Sequence, residues 1–316
     1  MDKPLFMWCS FLGLILALLA FDLGIFHKKD REMTIKDSLL MSGAYISIGC
    51  LFGLWIWYEL GFESYAEYMT GFLVEKTLSL DNIFLISLIF SSLAIPLQYQ
   101  HRVLFFGILG AIVLRGIMIA LGAHLLENFS WIIYIFSVFM ILTGFKMFFI
   151  PEKAVDINDN TLLKWMRGHL RITRELHEQK FLIHLLDPKT GRVKAFITPL
   201  LVALILIEFT DLIFAIDSVP AIFAITKDPY IVYTSNIFAI LGLRALYFAL
   251  AAIIKRFYYL KFALAGVLIF IGSKVFIADI MGLNKFPPSI SLGVTFSLLA
   301  FGCFYSLYNT HPNQRF

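Results

Sequence analysis

The sequence predicts an all-α polytopic membrane protein of about nine transmembrane helices, with an inverted three-plus-three helix repeat at its centre. Three observations predict it. Apolar residues make up 59% of the 316 and charged residues only 15%, where a soluble domain carries about a quarter charged. The apolar residues gather into blocks of about 20, the length that crosses a bilayer as a helix. Two sets of three blocks also carry the same embedded charges in the same order.

The nine spans fall at residues 5–26, 38–60, 68–93, 101–126, 129–150, 196–224, 230–254, 258–280 and 287–309. The first could pass for a signal peptide. However, its leading segment holds only Lys3, and no small-residue cleavage site precedes the basic stretch at 27, so it is expected to stay. The three cysteines, Cys9, Cys50 and Cys303, all lie inside apolar blocks with no CxxC spacing. They read as small buried hydrophobes rather than a disulfide or metal set.

Residues 151–195 stand apart, with nine Lys/Arg and six Asp/Glu. PEKAVDINDN reads as a solvated opening. TLLKWMRGHLRITRELHE has helical apolar spacing with a basic face, which predicts a short interfacial helix. His169, His177 and His184 offer a second reading of this segment as a sensor or metal patch.

Lys/Arg bias in the short loops sets the orientation. With the N-terminus outside, one set of loops collects eighteen basic residues and the other only Lys3, Lys227 and Lys285. The expected topology therefore has the N-terminus outside, with the C-terminus and the 151–195 loop cytoplasmic.

The repeat rests on four matches in order. Glu75 and Asp81 in EKTLSLDN match Asp211 and Asp217 in DLIFAIDS, and the second acids are followed by Asn82 and Ser218. Arg115 in AIVLRGIMIALGA matches Arg244 in AILGLRALYFALAA, and Lys146 in GFKMF matches Lys274 in GSKVF. The chain thus divides into two leading helices (1–67), a first repeat (68–150), the loop (151–195), a second repeat (196–280) and a closing helix with its tail (281–316). Opposite directions for spans three and six make the repeats inverted, the design of many carriers whose sites lie at the midplane.

A charged group at a helix centre costs about 2.5–3.5 kcal/mol on insertion scales, so embedded acids need partners or an ion. The candidate cation ligands are Glu75, Asp81, Asn82, Asp211, Asp217 and Ser218. All offer oxygen and none is Cys or His, which favours hard cations such as Mn, Mg or Ca over Zn or Cu. Arg115, Arg244, Lys146, Lys274, Glu208 and Asp22 are candidate compensating or pathway residues. Both lysines could also snorkel to the two membrane surfaces, and the arginines could simply neutralise one acid each.

Asp211 and Asp217 point about 120° apart and lie about 9 Å apart along a regular helix. They cannot both chelate one ion from an unbroken helix. Either each finds partners in the opposite repeat, or the helix breaks near 216–220, where Pro220 removes an amide donor.

LAFDLGIFHKK, GFLVEKTLSLDNIF, QYQHRVLFFGILGA, IEFTDLIFAIDSVPAIFAITKDP and SNIFAILGLRALYF resemble the TerC family of integral membrane proteins, over roughly residues 20–280. The resemblance implies a bacterial inner-membrane protein associated with tellurite resistance and, in one branch, with manganese export. It also implies that Glu75, Asp81, Asp211 and Asp217 are the ion-site acids. The expected function is export of a divalent cation, Mn(II) first, by alternating access with a proton as counter-substrate. The partners are the cation and the lipid bilayer, with no cofactor and no nucleic acid. The competing expectations are a membrane scaffold in a metal- or tellurite-stress response and an exporter of another hard cation such as Ca(II). No HExxH-like pairing supports an enzyme.

Overall fold

The computed structural model describes residues 4–26, 35–129, 131–149, 161–173, 176, 179–186, 193–250, 259–283 and 286–309. The side chains of Asp22, Asp81, Asp217 and Arg244, and all of His177, lie outside the described part. Among the described residues ten helices form in chain order: α1 (Leu5–Phe26), α2 (Ile35–Ser92), α3 (Leu97–Asn128), α4 (Ile132–Phe149), α5 (Thr161–His169), α6 (Pro199–Phe223), α7 (Pro229–Leu241), α8 (Leu243–Leu250), α9 (Leu260–Ile280) and α10 (Pro288–Asn309). Among the described residues, six helical segments are long and apolar enough to cross a bilayer, and Leu5–Phe21 and Pro229–Leu241 are shorter apolar helices. The chain is a largely helical polytopic membrane protein. Large apolar side chains such as Val113, Leu142, Phe301 and Phe304 face outward, as lipid-facing surfaces require because tails solvate them as well as a core does.

Spans two and three form the two arms of α2, which breaks at Gly61 with φ 86° and ψ 172°. That backbone region is essentially open to glycine alone. Gly61→Ala should therefore lower stability by about 1–3 kcal/mol, read as a fall in the melting temperature of the detergent-solubilised protein.

Of the two alternatives for the Asp211–Asp217 spacing, the break near Pro220 does not form. Helix α6 runs unbroken from Pro199 to Phe223 with the proline inside it. Pro220 sits in the last turn, so the one amide it removes lies where the helix is already ending, and the Ala224 amide closes the turn onto the Pro220 carbonyl at 2.9 Å. The interruption falls in span seven instead. There α7 ends at Leu241, Gly242 caps it with φ −80° and ψ 0°, and α8 starts at Leu243.

Helices α4 and α9 pack closely through the two matching glycines. A Cβ on Gly144 would meet the Ala265 carbonyl at 2.8 Å and Ile269, and a Cβ on Gly272 would meet the Ser137 carbonyl at 2.5 Å and Ile141. Small residues let helix backbones approach this way in membranes. The contacts are reciprocal: residue 144 faces 265 while 137 faces 272, so the two helices run antiparallel about a local two-fold relation.

The 151–195 segment is more than a connector. The helix predicted there is α5, which ends at His169 and buries Leu163 and Met166 in a cluster with Leu200 and Val103. Beyond it an antiparallel hairpin pairs β1 (Leu182–Leu186) with β2 (Val193–Ile197), so the fold is not all-α. The hairpin leads into α6 through Thr198, whose hydroxyl donates to the Lys180 carbonyl at 2.7 Å. His169 stacks on Trp165.

Candidate functional site

Four helices converge on one buried guanidinium. Arg115 of α3 is 1% exposed, and an arginine always carries its charge and five donors. Its Nε and one terminal nitrogen form a fork on Asp211 of α6, at 3.1 Å to Oδ2 and 2.9 Å to Oδ1. The other terminal nitrogen donates to Glu75 Oε1 of α2 and, at 2.7 Å, to Asn236 Oδ1 of α7. Each acid also accepts from an asparagine: Asn82 Nδ2 donates to Asp211 at 3.2 Å, and Asn236 Nδ2 to Glu75 at 3.3 Å. Charged, planar, two-point hydrogen bonding of this kind is what makes a buried ion pair tolerable.

Arg115 therefore bridges the first acid of one motif to the first acid of the other, rather than neutralising a single acid. Asp211 finds its partners across the motifs, through Asn82 and Arg115, which is how the six-residue spacing is accommodated without a helix break.

Beside the bridge lies a small cleft with a cavity volume of about 30 Å³, lined by Asn82, Gly107, Glu208, Thr210 and Asp211 together with apolar residues of α2, α3 and α6 to α8. Three oxygens define its chemistry. Asn82 is buried, and its Oδ1 has no hydrogen-bond partner because the amide nitrogen is turned to Asp211. Glu208 Oε2 is likewise buried without a partner, although buried polar atoms are normally satisfied. The Asp211 side chain keeps 11% exposure while holding Arg115. A glycine makes the room for Glu208: a Cβ on Gly110 would overlap its carboxylate.

The predicted site residues fall into three groups. Glu75, Asn82, Asp211 and Arg115 come together, and Ser218 is buried beside Glu75 without a hydrogen bond of good geometry. Glu208 lines the cleft. Lys146 is exposed in the last turn of α4, where it can snorkel. Lys274 does not: it is buried and donates to Ser291 Oγ of α10 at 3.2 Å. Asp22, Asp81, Asp217 and Arg244 lie on α1, α2, α6 and α8, with side chains outside the described part. Among the described residues no three His, Cys, Asp or Glu side chains converge as a ready metal site.

One residue of the site, Asn236, was missed by sequence reasoning, and Lys76, an embedded base in the sequence, was given no role there. Asn236 is a neutral polar residue in an apolar span, and the polar run TSN at 234–236 was the available signal. Lys76 donates from Nζ to the Ala239 carbonyl of α7 at 2.9 Å.

The family model described as the integral membrane protein TerC family matches residues 60–314. The chain is 52% identical to an "Uncharacterized membrane protein" of Rickettsia bellii, over 95% of this chain and 96% of the relative. It is 45% identical to a membrane protein of Myxococcus xanthus, over 93% of this chain and 89% of that one. It is 43% identical to the Escherichia coli protein named "Putative membrane-bound redox modulator Alx", over 93% and 91%. No solved structure matches it. With a family model covering most of its length, and relatives above 40% identity end to end, this chain belongs to the TerC family of integral membrane proteins.

Proposed function

We propose that the protein is an inner-membrane exporter of a divalent metal cation, Mn(II) first, working by alternating access at the Arg115 site. One observation carries the reading: a buried arginine bridges an acid from each motif directly beside a cleft with unpartnered carboxylate and amide oxygens. The guanidinium acts as a built-in cation that keeps Glu75 and Asp211 neutralised while the site is empty. An arriving cation meets Glu208, Asp211 and the Asn82 carbonyl, and its charge weakens the hold of Asp211 on Arg115. Carboxylate and amide oxygens are donors for hard cations, which supports Mn(II), Ca(II) or Mg(II) as cargo. Asp81 and Asp217, six residues beyond Glu75 and Asp211 on their helices, complete the proposed ligand set with Ser218.

The architecture proposed for this transport is nine spans with inverted repeats at 68–150 and 196–280, flanked by 1–67 and 281–316. The reciprocal, antiparallel Gly144–Ala265 and Gly272–Ser137 contacts support it, because they put the local two-fold axis across the helices, as an inverted repeat requires. With the N-terminus outside by the basic-residue bias, the cleft lies on the cytoplasmic side of Arg115, among residues 82–86, 104–111 and 207–211. That is the side from which an exporter loads.

The test is Mn(II) uptake into inverted membrane vesicles, with Ca(II) and Mg(II) as competitors. Uptake should be abolished by Asp81→Asn and by Asp217→Asn at unchanged protein level. Wild-type uptake in both variants contradicts the reading, and selective competition by Ca(II) reassigns the cargo.

A further inference from the structure

Lys76 follows Glu75 directly, yet the Arg115 bridge does not use it. Its ammonium reaches α7 one turn further along, at the interruption between α7 and α8. The last carbonyls of a helix have no intrahelical donor and carry the negative end of its dipole. Here they are sealed in apolar surroundings: Ala239, Ile240, Leu241 and Leu243 are all buried. Lys76 Nζ donates to the Ala239 carbonyl at 2.9 Å. It also lies 2.8 Å from where a Cβ on Gly242 would stand, a point that is 3.1 Å from Tyr45 Cβ. Among the described residues no carboxylate pairs with it. Its counter-charge is the end of a helix.

The two motifs show that lysine and interruption go together. The residue matching Lys76 in the second motif is Leu212, and the residue matching Gly242 in the first set is Val113. Val113 sits in α3, which runs unbroken from Leu97 to Asn128. The chain thus has one interrupted helix at this level and one lysine to cap it, each supplied by a different half.

We propose that the Lys76 ammonium is a tethered cation seated at the C-terminal mouth of α7, and that transport requires its charge there. Carriers with discontinuous helices commonly place a coupling ion at such half-helix C-termini; here a side chain fills the place. The consequence reaches the site through α7. Asn236 lies three residues before Ala239, so both are on one helical face. Neighbouring residues of α2 grip that face at two points, Glu75 on Asn236 and Lys76 on Ala239. Lys76 is a positioning residue: it holds α7 where Asn236 can orient Glu75 on Arg115. The inference rests on the transport reading for its functional half, while its structural half stands alone.

Purified protein in liposomes tests both halves. Lys76→Met keeps the length and apolar stem without the charge, and should transport Mn(II) at least about tenfold more slowly while folding. Lys76→Ala should regain part of the lost rate with ethylammonium in the buffer, a rescue that a purely space-filling role would not give, and Lys76→Met should not. Gly242→Ala, which puts a methyl group 2.8 Å from the Lys76 Nζ position and so crowds the ammonium off its carbonyl, should share the defect with Lys76 intact. Hydrogen exchange at residues 239–246 should rise in Lys76→Met. Wild-type transport by Lys76→Met, or no ethylammonium response in folded Lys76→Ala, overturns the proposal. If the wild type moves no divalent cation, the transport reading falls. The exchange arm then decides alone: faster exchange confined to 239–246 upholds the tether and unchanged exchange removes it.

Discussion

Arg115→Met is expected to destabilise the protein by about 3–5 kcal/mol, because it strands two buried carboxylates that share one partner. Arg115 and Glu75 are each 1% exposed, so water cannot replace the lost guanidinium. The defect should be specific to charge. Adding Glu75→Gln and Asp211→Asn to Arg115→Met removes the stranded charges and should recover most of the melting temperature, since a neutral core can match a buried ion pair in stability. Transport should stay lost in the triple variant, which has no ionised bridge acids. Thermal melting in detergent of the single and triple variants measures the first part, and vesicle uptake the second. Equal melting temperatures for wild type and Arg115→Met would mean that the bridge contributes nothing to the fold.

The second large effect has the opposite sign on stability. Glu208→Gln should leave the melting temperature unchanged or raise it, because Glu208 Oε2 is buried without a hydrogen-bond partner and an ionised carboxylate there carries an uncompensated desolvation cost. The same change should weaken Mn(II) binding by at least about tenfold, or ~1.4 kcal/mol. Gly110→Ala offers an independent check, since its Cβ would overlap the Glu208 carboxylate and must displace it without removing its charge. Both variants should transport poorly while melting close to the wild type. A protein that stabilises through Arg115 and works through Glu208 separates these two results; a rigid polar plug does not.

The spans were readable because the length of an apolar run is fixed by bilayer thickness, and the acids because charge in such a run needs a cause. Composition could not show which acids meet. The six-residue spacing excluded a single-helix chelate, yet only the packing of α3 on α6, with α7 against both α2 and α3, shows Arg115 taking Glu75 and Asp211 together. Of the two alternatives left open by that spacing, the break at Pro220 is absent because the cost of a proline depends on how much helix lies beyond it. In a last turn, the missing amide interrupts little. Gly242 gave no warning, being one small residue inside an apolar run, and its consequence depends on a lysine 166 positions earlier. The hairpin had a local signal. LIHLL and VKAFI flank DPKTGR, a turn-rich spacer between short β-prone runs, which the basic charge of the segment obscured.

Stability and cargo chemistry thus fall on adjacent groups: Arg115 satisfies the buried acids, and the cleft beside it leaves oxygens unsatisfied. Anomalous scattering at the manganese edge, from crystals grown with Mn(II), tests this most directly. A peak is expected in the cleft within bonding reach of Glu208, Asp211 and the Asn82 carbonyl, with Arg115 drawn off Asp211. Crystals saturated with Mn(II) that show no peak there, and Arg115 still forked on Asp211, would contradict it.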